Sequence, residues 1–182
     1  MNGEQRSGQL STMKPGQIWL IEHASATALF PCDHHALTGA DVVIYDRSLA
    51  PVVASVLPIG AYAEPLSPDA PAAGPAISPR ALGFAADGWS VAQLVETCAG
   101  RCARLRLASE ALMSLGCASD LPVLVIAKTT PDRHQARDAC LRTLPGLADE
   151  FAGHDLMTLI FGPLIARYPA HSYAFAANGL AG

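Results

Sequence analysis

The chain runs A-D-V-V-I-Y-D-R from Ala40 to Arg47. Within it, Val42 to Tyr45 are β-branched or aromatic and do not alternate with polar residues, which is typical of a strand buried on both faces. Such strands belong to parallel sheets covered by helices, where ligands bind beyond the carboxyl ends of the strands. Asp46 and Arg47 follow directly, and they are either ligand contacts or a solvated strand exit.

Composition restricts the class of protein. The chain has 182 residues, of which 51% are hydrophobic and 15% charged, enough for the core of one α/β domain or of two small lobes. This composition excludes disorder for the bulk of the chain. The net charge is -4, the pI is near 5.8 and there is no basic run, so nucleic acid is not the expected partner. A small molecule or another protein is expected instead.

Two observations predict a cytoplasmic protein. Residues 1–14 are polar, and no apolar run approaches the roughly 18 residues that span a bilayer, so neither a leader nor a membrane segment is expected. The five cysteines are an odd number without a disulfide-framework spacing, which favours a reducing compartment.

Periodicity and turn residues predict the remaining elements. We expect a flexible tail over 1–14, an N-terminal lobe over 15–100 and a reduced C-terminal lobe over 101–182. Proline density predicts a surface flap from Glu64 to Pro79, and Ser78 with Pro79 predicts a helix start. Further strands are expected at 17–21, 90–95, from 121 to before Thr129, at 156–165 and at 171–178; helices are expected at 28–37, 51–57, 80–86, 98–117, 132–144 and 147–153.

The segment Ala40 to Arg47 resembles the A-D-V-V-(L/I)-Y-D-R segment of the tetrapyrrole methylase family, known for the uroporphyrinogen-III C-methyltransferases. Two further segments match in the family's order. Leu121 to Arg133 resembles T-P-V-A-V-V-E-R-G-T-T-P-x-Q-R, and Leu156 to Ile165 resembles A-L-I-V-V-G-E-V-V. The resemblance implies an α/β fold with a mainly parallel sheet flanked by helices, S-adenosylmethionine as cofactor, a tetrapyrrole substrate and a homodimer.

The resemblance also implies site residues. Asp46 and Arg47 would border the substrate, whereas Thr129, Thr130 and Gly162 would lie near the cofactor. It implies no catalytic side chain, because methyl transfer depends on holding the two reacting atoms in line.

In two places the chain departs from the family pattern. The family has G-x-G-P-G-D after its first strand, where this chain has Glu22 to Thr27 without glycine. The family later has G-G-D-P, where this chain has Glu96 to Gly100. Side chains with a Cβ fill the space that a close ligand needs, so catalysis is expected to be weakened or lost. Glu22 and His23 are either an acid and a base at the strand end or part of a solvated loop.

Three functions are therefore open. The first is a diverged S-adenosylmethionine-dependent methyltransferase acting on a tetrapyrrole, and the second is a non-catalytic protein, a pseudoenzyme, that binds a tetrapyrrole or a partner protein. The third is a metal-binding protein, although the local spacing matches no zinc module and we assign no metal ligand. Its candidate ligands are Cys32, His34, His35, Cys98 and Cys102.

Overall fold

A computed structural model describes residues 13–24, 27–66, 77–97, 101–130, 133–148, 150–151, 154 and 156–164. Within these residues the chain forms seven strands, four α-helices and two short 3-10 helices. The strands are β1 (Ile18–His23), β2 (Val42–Tyr45), β3 (Tyr62–Pro65), β4 (Val91–Glu96), β5 (Pro122–Thr130), β6 (Arg133–Cys140) and β7 (Leu156–Phe161). The helices are α1 (Pro31–Gly39), α2 (Ala50–Val56), α3 (Pro79–Ala86) and α4 (Arg101–Ser114), with 3-10 turns at Arg47–Leu49 and Leu144–Leu147.

All seven strands lie in one sheet, in the order β3-β2-β4-β1-β7-β5-β6. The pairs β2/β3, β2/β4 and β1/β4 are parallel, whereas β1/β7, β5/β7 and β5/β6 are antiparallel. The α/β class is as predicted, but the mainly parallel sheet is not, because half of the pairings are antiparallel. The sheet contains strands from both predicted lobes, and the boundary near residue 100 falls between β4 and α4.

One of the three antiparallel pairings involves an element that was predicted wrongly. Residues 132–144 were predicted to be helical, but Arg133–Cys140 form β6, which pairs along most of β5. The segment has residues of good helix propensity, yet pairing with β5 satisfies backbone groups that would otherwise stay open along the sheet edge. Tertiary context therefore overrides local propensity here.

Helix starts follow the sequence more closely. Pro31 occupies the first turn of α1, and the Ser78 hydroxyl accepts a hydrogen bond from the Ala81 amide at the start of α3. The Ser78 cap agrees with prediction, because serine satisfies an open amide. Helix α1 begins at Pro31 and not at the predicted residue 28, since proline suits the first turn of a helix. The predicted flap instead begins inside β3, and its residues 67–76 lie outside the described part of the chain, as does the predicted strand at 171–178.

The two faces of the sheet carry separate apolar cores. Helices α3 and α4 contribute Leu82 and Leu112 to one cluster, while α1 and α2 contribute Leu37 and Val53 to the other. Strand residues alternate between them, as the pleat requires. Among the described helices, none is long and apolar enough to cross a bilayer.

The order of the strands marks a switch point between β1 and β4. After β1 the chain crosses by α1 toward β2, and after β4 it crosses by α4 in the opposite direction toward β5. Because β1 and β4 are parallel neighbours, the two connections diverge from adjacent strand ends. Ligands of α/β proteins bind in the crevice that such a divergence leaves.

Candidate functional site

A buried ion pair lies near the carboxyl end of β5. The Lys128 ammonium donates to Asp33 Oδ2 at 2.7 Å and to Thr158 Oγ1 at 2.8 Å, and the Thr158 hydroxyl donates to Asp33 Oδ1 at 2.9 Å. All three residues are 0% exposed. The three side chains therefore form a closed ring of hydrogen bonds in which one positive and one negative charge cancel.

Strand register and a helix start assemble this ring. Thr158 of β7 pairs with Ile126 of β5, so Lys128, two residues farther along β5, points to the same face as Thr158. Asp33 reaches down from the first turn of α1, where a carboxylate is favoured by the helix dipole. The Phe30 ring lies 5.1 Å from Lys128 Nζ and adds a cation–π contact.

The Cys32 thiol is held protonated beside this ring. Its Sγ lies 3.5 Å from Asp33 Oδ1 and donates to it. Burial, helped by the Asp33 carboxylate, raises the pKa of Cys32 to about 12. Since the thiolate is the nucleophilic form, Cys32 is inert at neutral pH.

His23 ends β1 on the same face as Lys128. Its side chain is 0% exposed, and neither ring nitrogen has a hydrogen-bond partner among the described residues. Burial lowers the pKa of His23, an effect that the Asp33 carboxylate opposes and the Lys128 ammonium reinforces. The imidazole is therefore neutral at pH 7, with one donor and one acceptor.

Thr97 lies beside His23 across the switch point. Its amide donates to the His23 carbonyl at 2.9 Å, while its buried hydroxyl has no partner within the described chain. Buried polar side chains in native proteins are nearly always hydrogen-bonded, so two open ones at adjacent strand ends indicate a place where another molecule binds. That molecule is either a water or a ligand.

The predicted substrate residues lie at the end of β2. The Asp46 carboxylate accepts the Glu96 amide at 2.6 Å, and Ser48 Oγ donates to the Glu96 carboxylate at 2.6 Å. Asp46 thus ties the ends of β2 and β4 together, and Arg47 beside it is exposed to solvent. Glu96 itself pairs in register with His23, so this tie borders the switch point.

The predicted cofactor residues lie at opposite ends of the parallel strands, which we call the carboxyl edge and the amino edge of the sheet. Thr129 is exposed at the carboxyl end of β5, whereas the Thr130 side chain is outside the described residues. Gly162 follows β7, which runs antiparallel to β1, so it lies at the amino end of β1. Its φ is +112°, and a Cβ there would lie 2.9 Å from the Gly16 carbonyl oxygen. Local packing therefore accounts for this glycine, and the structure separates it from Thr129.

Glu22 and His23 do not form a solvated loop; that alternative is wrong. Both belong to β1 and are almost fully buried, and Glu22 Oε2 accepts the Met157 amide at 3.0 Å on the face opposite His23. Strand pairing with β4 extends through both residues, whereas the pairing with β7 ends at Ile21. The end of β1 is thus filled by side chains.

The proposed metal ligands do not converge in the described part of the chain. Cys32 is buried, whereas His34 and His35 are exposed on α1. Within the described residues there is no group of three or more histidine, cysteine or acidic side chains that could hold a metal ion. Cys98 and the Cys102 side chain lie outside that part.

Sequence reasoning missed the ring of Asp33, Lys128 and Thr158. A signal was present, because Lys128 and Thr158 interrupt two apolar strand segments. A charge within a buried strand requires a partner, and Asp33 is a candidate within a helix start. The sequence does not say, however, which helix covers which strands.

Comparisons with known proteins give a weak structural likeness. No family model matches the chain, and no curated protein matches it. A cobalt precorrin-4 methyltransferase of cobalamin biosynthesis resembles it over 71% of this chain and 86% of that one, at 12% identity and a TM-score of 0.31. A uroporphyrin-III C-methyltransferase from Thermus thermophilus resembles it over 73% and 85%, at 17% identity and a TM-score of 0.29. At these scores neither neighbour identifies a ligand, so the function rests on the residues of the site.

Proposed function

We propose that the protein binds a small organic ligand in the crevice between β1 and β4. The open hydrogen-bonding groups of His23 and Thr97 carry this proposal. They lie at adjacent ends of parallel strands, at the point where the two following connections diverge. A ligand that offers both a donor and an acceptor would satisfy them. Each buried donor or acceptor without a partner costs about 1–3 kcal/mol, and binding would remove this cost.

We infer that the ligand is a tetrapyrrole and that methyl transfer is weak or lost. The class of ligand comes from the resemblance of Ala40 to Arg47 and of two later strands to tetrapyrrole methylases. Loss of catalysis is supported by the side chains of Glu22 and His23 at the end of β1, where that family has glycines. Methyl transfer needs the sulfonium and the acceptor carbon in line at close range, and a filled strand end works against that geometry.

A second candidate is an active S-adenosylmethionine-dependent methyltransferase of a tetrapyrrole. The observation in its favour is that Asp46, Arg47 and Thr129 all lie at the carboxyl edge of the sheet. Under this proposal the first two contact substrate and Thr129 contacts cofactor. For either function we propose a cytoplasmic homodimer, which light scattering should show at twice 19.0 kDa.

Titration calorimetry with uroporphyrin, S-adenosylmethionine and its demethylated product tests both proposals. We expect micromolar binding of the tetrapyrrole, about -8 kcal/mol. Thr97→Val should weaken it about two- to tenfold by removing one hydrogen bond. The matched control is Thr38→Val, since the Thr38 hydroxyl bonds only within α1, to the His34 and His35 carbonyls.

The outcomes separate the candidates. Tetrapyrrole binding without heat from S-adenosylmethionine at millimolar concentration supports the non-catalytic protein. Binding of S-adenosylmethionine with formation of a methylated tetrapyrrole supports the enzyme instead. No tetrapyrrole binding, or equal weakening by the Thr97 and Thr38 variants, would contradict the proposed crevice.

A further inference from the structure

The neutral state of His23 is matched to the charges that surround it. From α1, Asp33 and Cys32 face the same buried region, β5 contributes Lys128, and β7 contributes the Thr158 hydroxyl. From β4, Glu96 is the remaining charged group that acts on His23. Because Lys128 and Asp33 cancel, the buried part of this region has no net charge while His23 is neutral.

A proton on His23 would upset that balance. The imidazolium would be a second buried cation, and the single buried carboxylate among these groups, Asp33, is already bonded to Lys128, Thr158 and Cys32. Glu96 is exposed, and its carboxylate is bonded to Ser48 Oγ. A buried charge without a full set of partners is costly, so the protonated state favours any rearrangement that admits water.

The first turn of α1 is the part of the fold that can move away from the sheet. Asp33 ties it to the sheet across Lys128 and Thr158, and Phe30 at the N-cap position has no polar side chain to cap the helix. The helix has only nine residues, and short helices depend on tertiary contacts for their stability. Moving this turn away would hydrate His23 without separating any paired strands.

We propose that His23 is a proton-sensitive latch: its protonation releases the first turn of α1 and opens the carboxyl edge of the sheet beside the β1/β4 crevice. This inference goes beyond the proposed function, because it concerns the protein without a ligand. The latch makes access to the crevice depend on pH. Because its test uses no ligand, the inference stands or falls independently of tetrapyrrole binding.

Labelling of Cys32 reports directly on this opening, since the thiol lies in the first turn of α1 and is buried when the turn is docked. The whole protein is treated with 4,4′-dithiodipyridine between pH 7.5 and 5, and labelled peptides are quantified by mass spectrometry. Cys117 is the internal control, because it is buried in the cluster on the other face of the sheet. Global unfolding exposes both thiols, whereas local opening exposes Cys32 alone.

Relative to a free thiol at the same pH, Cys32 labelling should become faster by up to about tenfold per pH unit below pH 6.5, as one-proton linkage requires. Cys117 should be labelled more slowly at every pH, because its exposure requires global unfolding. His23→Gln keeps a neutral donor and acceptor and should make Cys32 labelling independent of pH on this scale. His34→Gln changes an exposed histidine on the same helix and should leave the rise intact. A Cys32 rate that does not rise in the wild-type protein, a rise that persists in His23→Gln, or equal rates for Cys32 and Cys117 would overturn the latch.

A measurement on the wild-type protein covers the case in which His23→Gln does not fold. Titration of the His23 ring by NMR gives its midpoint without any substitution. The latch requires that this midpoint coincide with the midpoint of the pH dependence of Cys32 labelling, measured relative to a free thiol. A separation of the two midpoints would exclude His23 as the titrating group.

Discussion

The two edges of the sheet are built differently. At the amino edge of the parallel strands, Asp41 Oδ2 accepts both the Ser90 amide at 2.8 Å and the Ser90 hydroxyl at 2.6 Å. Nearby, the Leu164 amide donates to the Gly16 carbonyl at 2.8 Å, in the space that Gly162 leaves open. Partners among the described residues thus satisfy these polar groups and hold this edge together.

The carboxyl edge instead contains a buried ion pair and polar groups that lack a partner among the described residues. Lys128 pairs with Asp33, and the His23 ring and Thr97 hydroxyl have no described partner. Buried charge and open hydrogen-bonding groups do not stabilise a fold as efficiently as apolar packing does. The contrast indicates that the polar groups of the amino edge serve the fold, whereas those of the carboxyl edge are the ones open to binding and to a change of protonation.

Breaking the ion pair at the carboxyl edge should have the largest effect. Lys128→Met leaves the Asp33 carboxylate buried without its cation, so the free energy of unfolding should fall by about 3–5 kcal/mol. The matched control is Arg137→Met, which removes an exposed pair with Glu150 and should cost at most about 1 kcal/mol. Urea denaturation measures both. Similar losses in the two variants would show that the buried pair has no special role.

Filling the space at the amino edge should have the next largest effect. Gly162→Ala puts a Cβ 2.9 Å from the Gly16 carbonyl oxygen and strains a residue at φ +112°, so we expect a loss of about 1–3 kcal/mol. Gly39→Ala is the control, because a Cβ there meets nothing within 4 Å, and it should be neutral or stabilising. Thermal and urea unfolding compare the two. Equal stability would contradict the tight packing at this edge.

The dependence of stability on pH should be the smallest effect. Because burial lowers the pKa of His23, the unfolded chain binds a proton there more tightly than the folded one. The free energy of unfolding should therefore fall as pH drops below 6.5, by at most about 1.4 kcal/mol per pH unit, until the folded pKa is reached. Urea denaturation at pH 7.5, 6.5 and 5.5 compares the wild-type protein with His23→Gln and His34→Gln. The His23 variant alone should lose this part of the slope, and an unchanged slope would contradict the prediction.

Local signals in the sequence account for much of the fold. The apolar run at Val42–Tyr45 and the serine cap of α3 each fix structure over a few residues, and the structure agrees with both. β3 and β6 were missed, because the polar residues of an edge strand do not show the apolar alternation of a half-buried one. With β6 assigned to a helix, its antiparallel pairing with β5 was not predicted.

The candidate site was only partly accessible from the sequence. Its location at the carboxyl ends of strands followed from the class of fold, and His23 was named as a candidate base. The partners of Lys128 were not predictable, because Asp33 and Thr158 reach it only after α1 and β7 have packed against β5. Nor does any local pattern show that the buried ring of His23 lacks a partner among its described neighbours.

The sequence by itself determined an α/β protein with a sizeable apolar core, the central strand and the start of α3, since these depend on composition, on periodicity and on residues within one or two turns. Only the tertiary structure decided the order of the strands, the mixed sheet and the meeting of Lys128, Asp33 and Thr158. The physical reason is that a charge can be buried only where its partner arrives from another element. Whether the partner arrives depends on the packing of the whole chain.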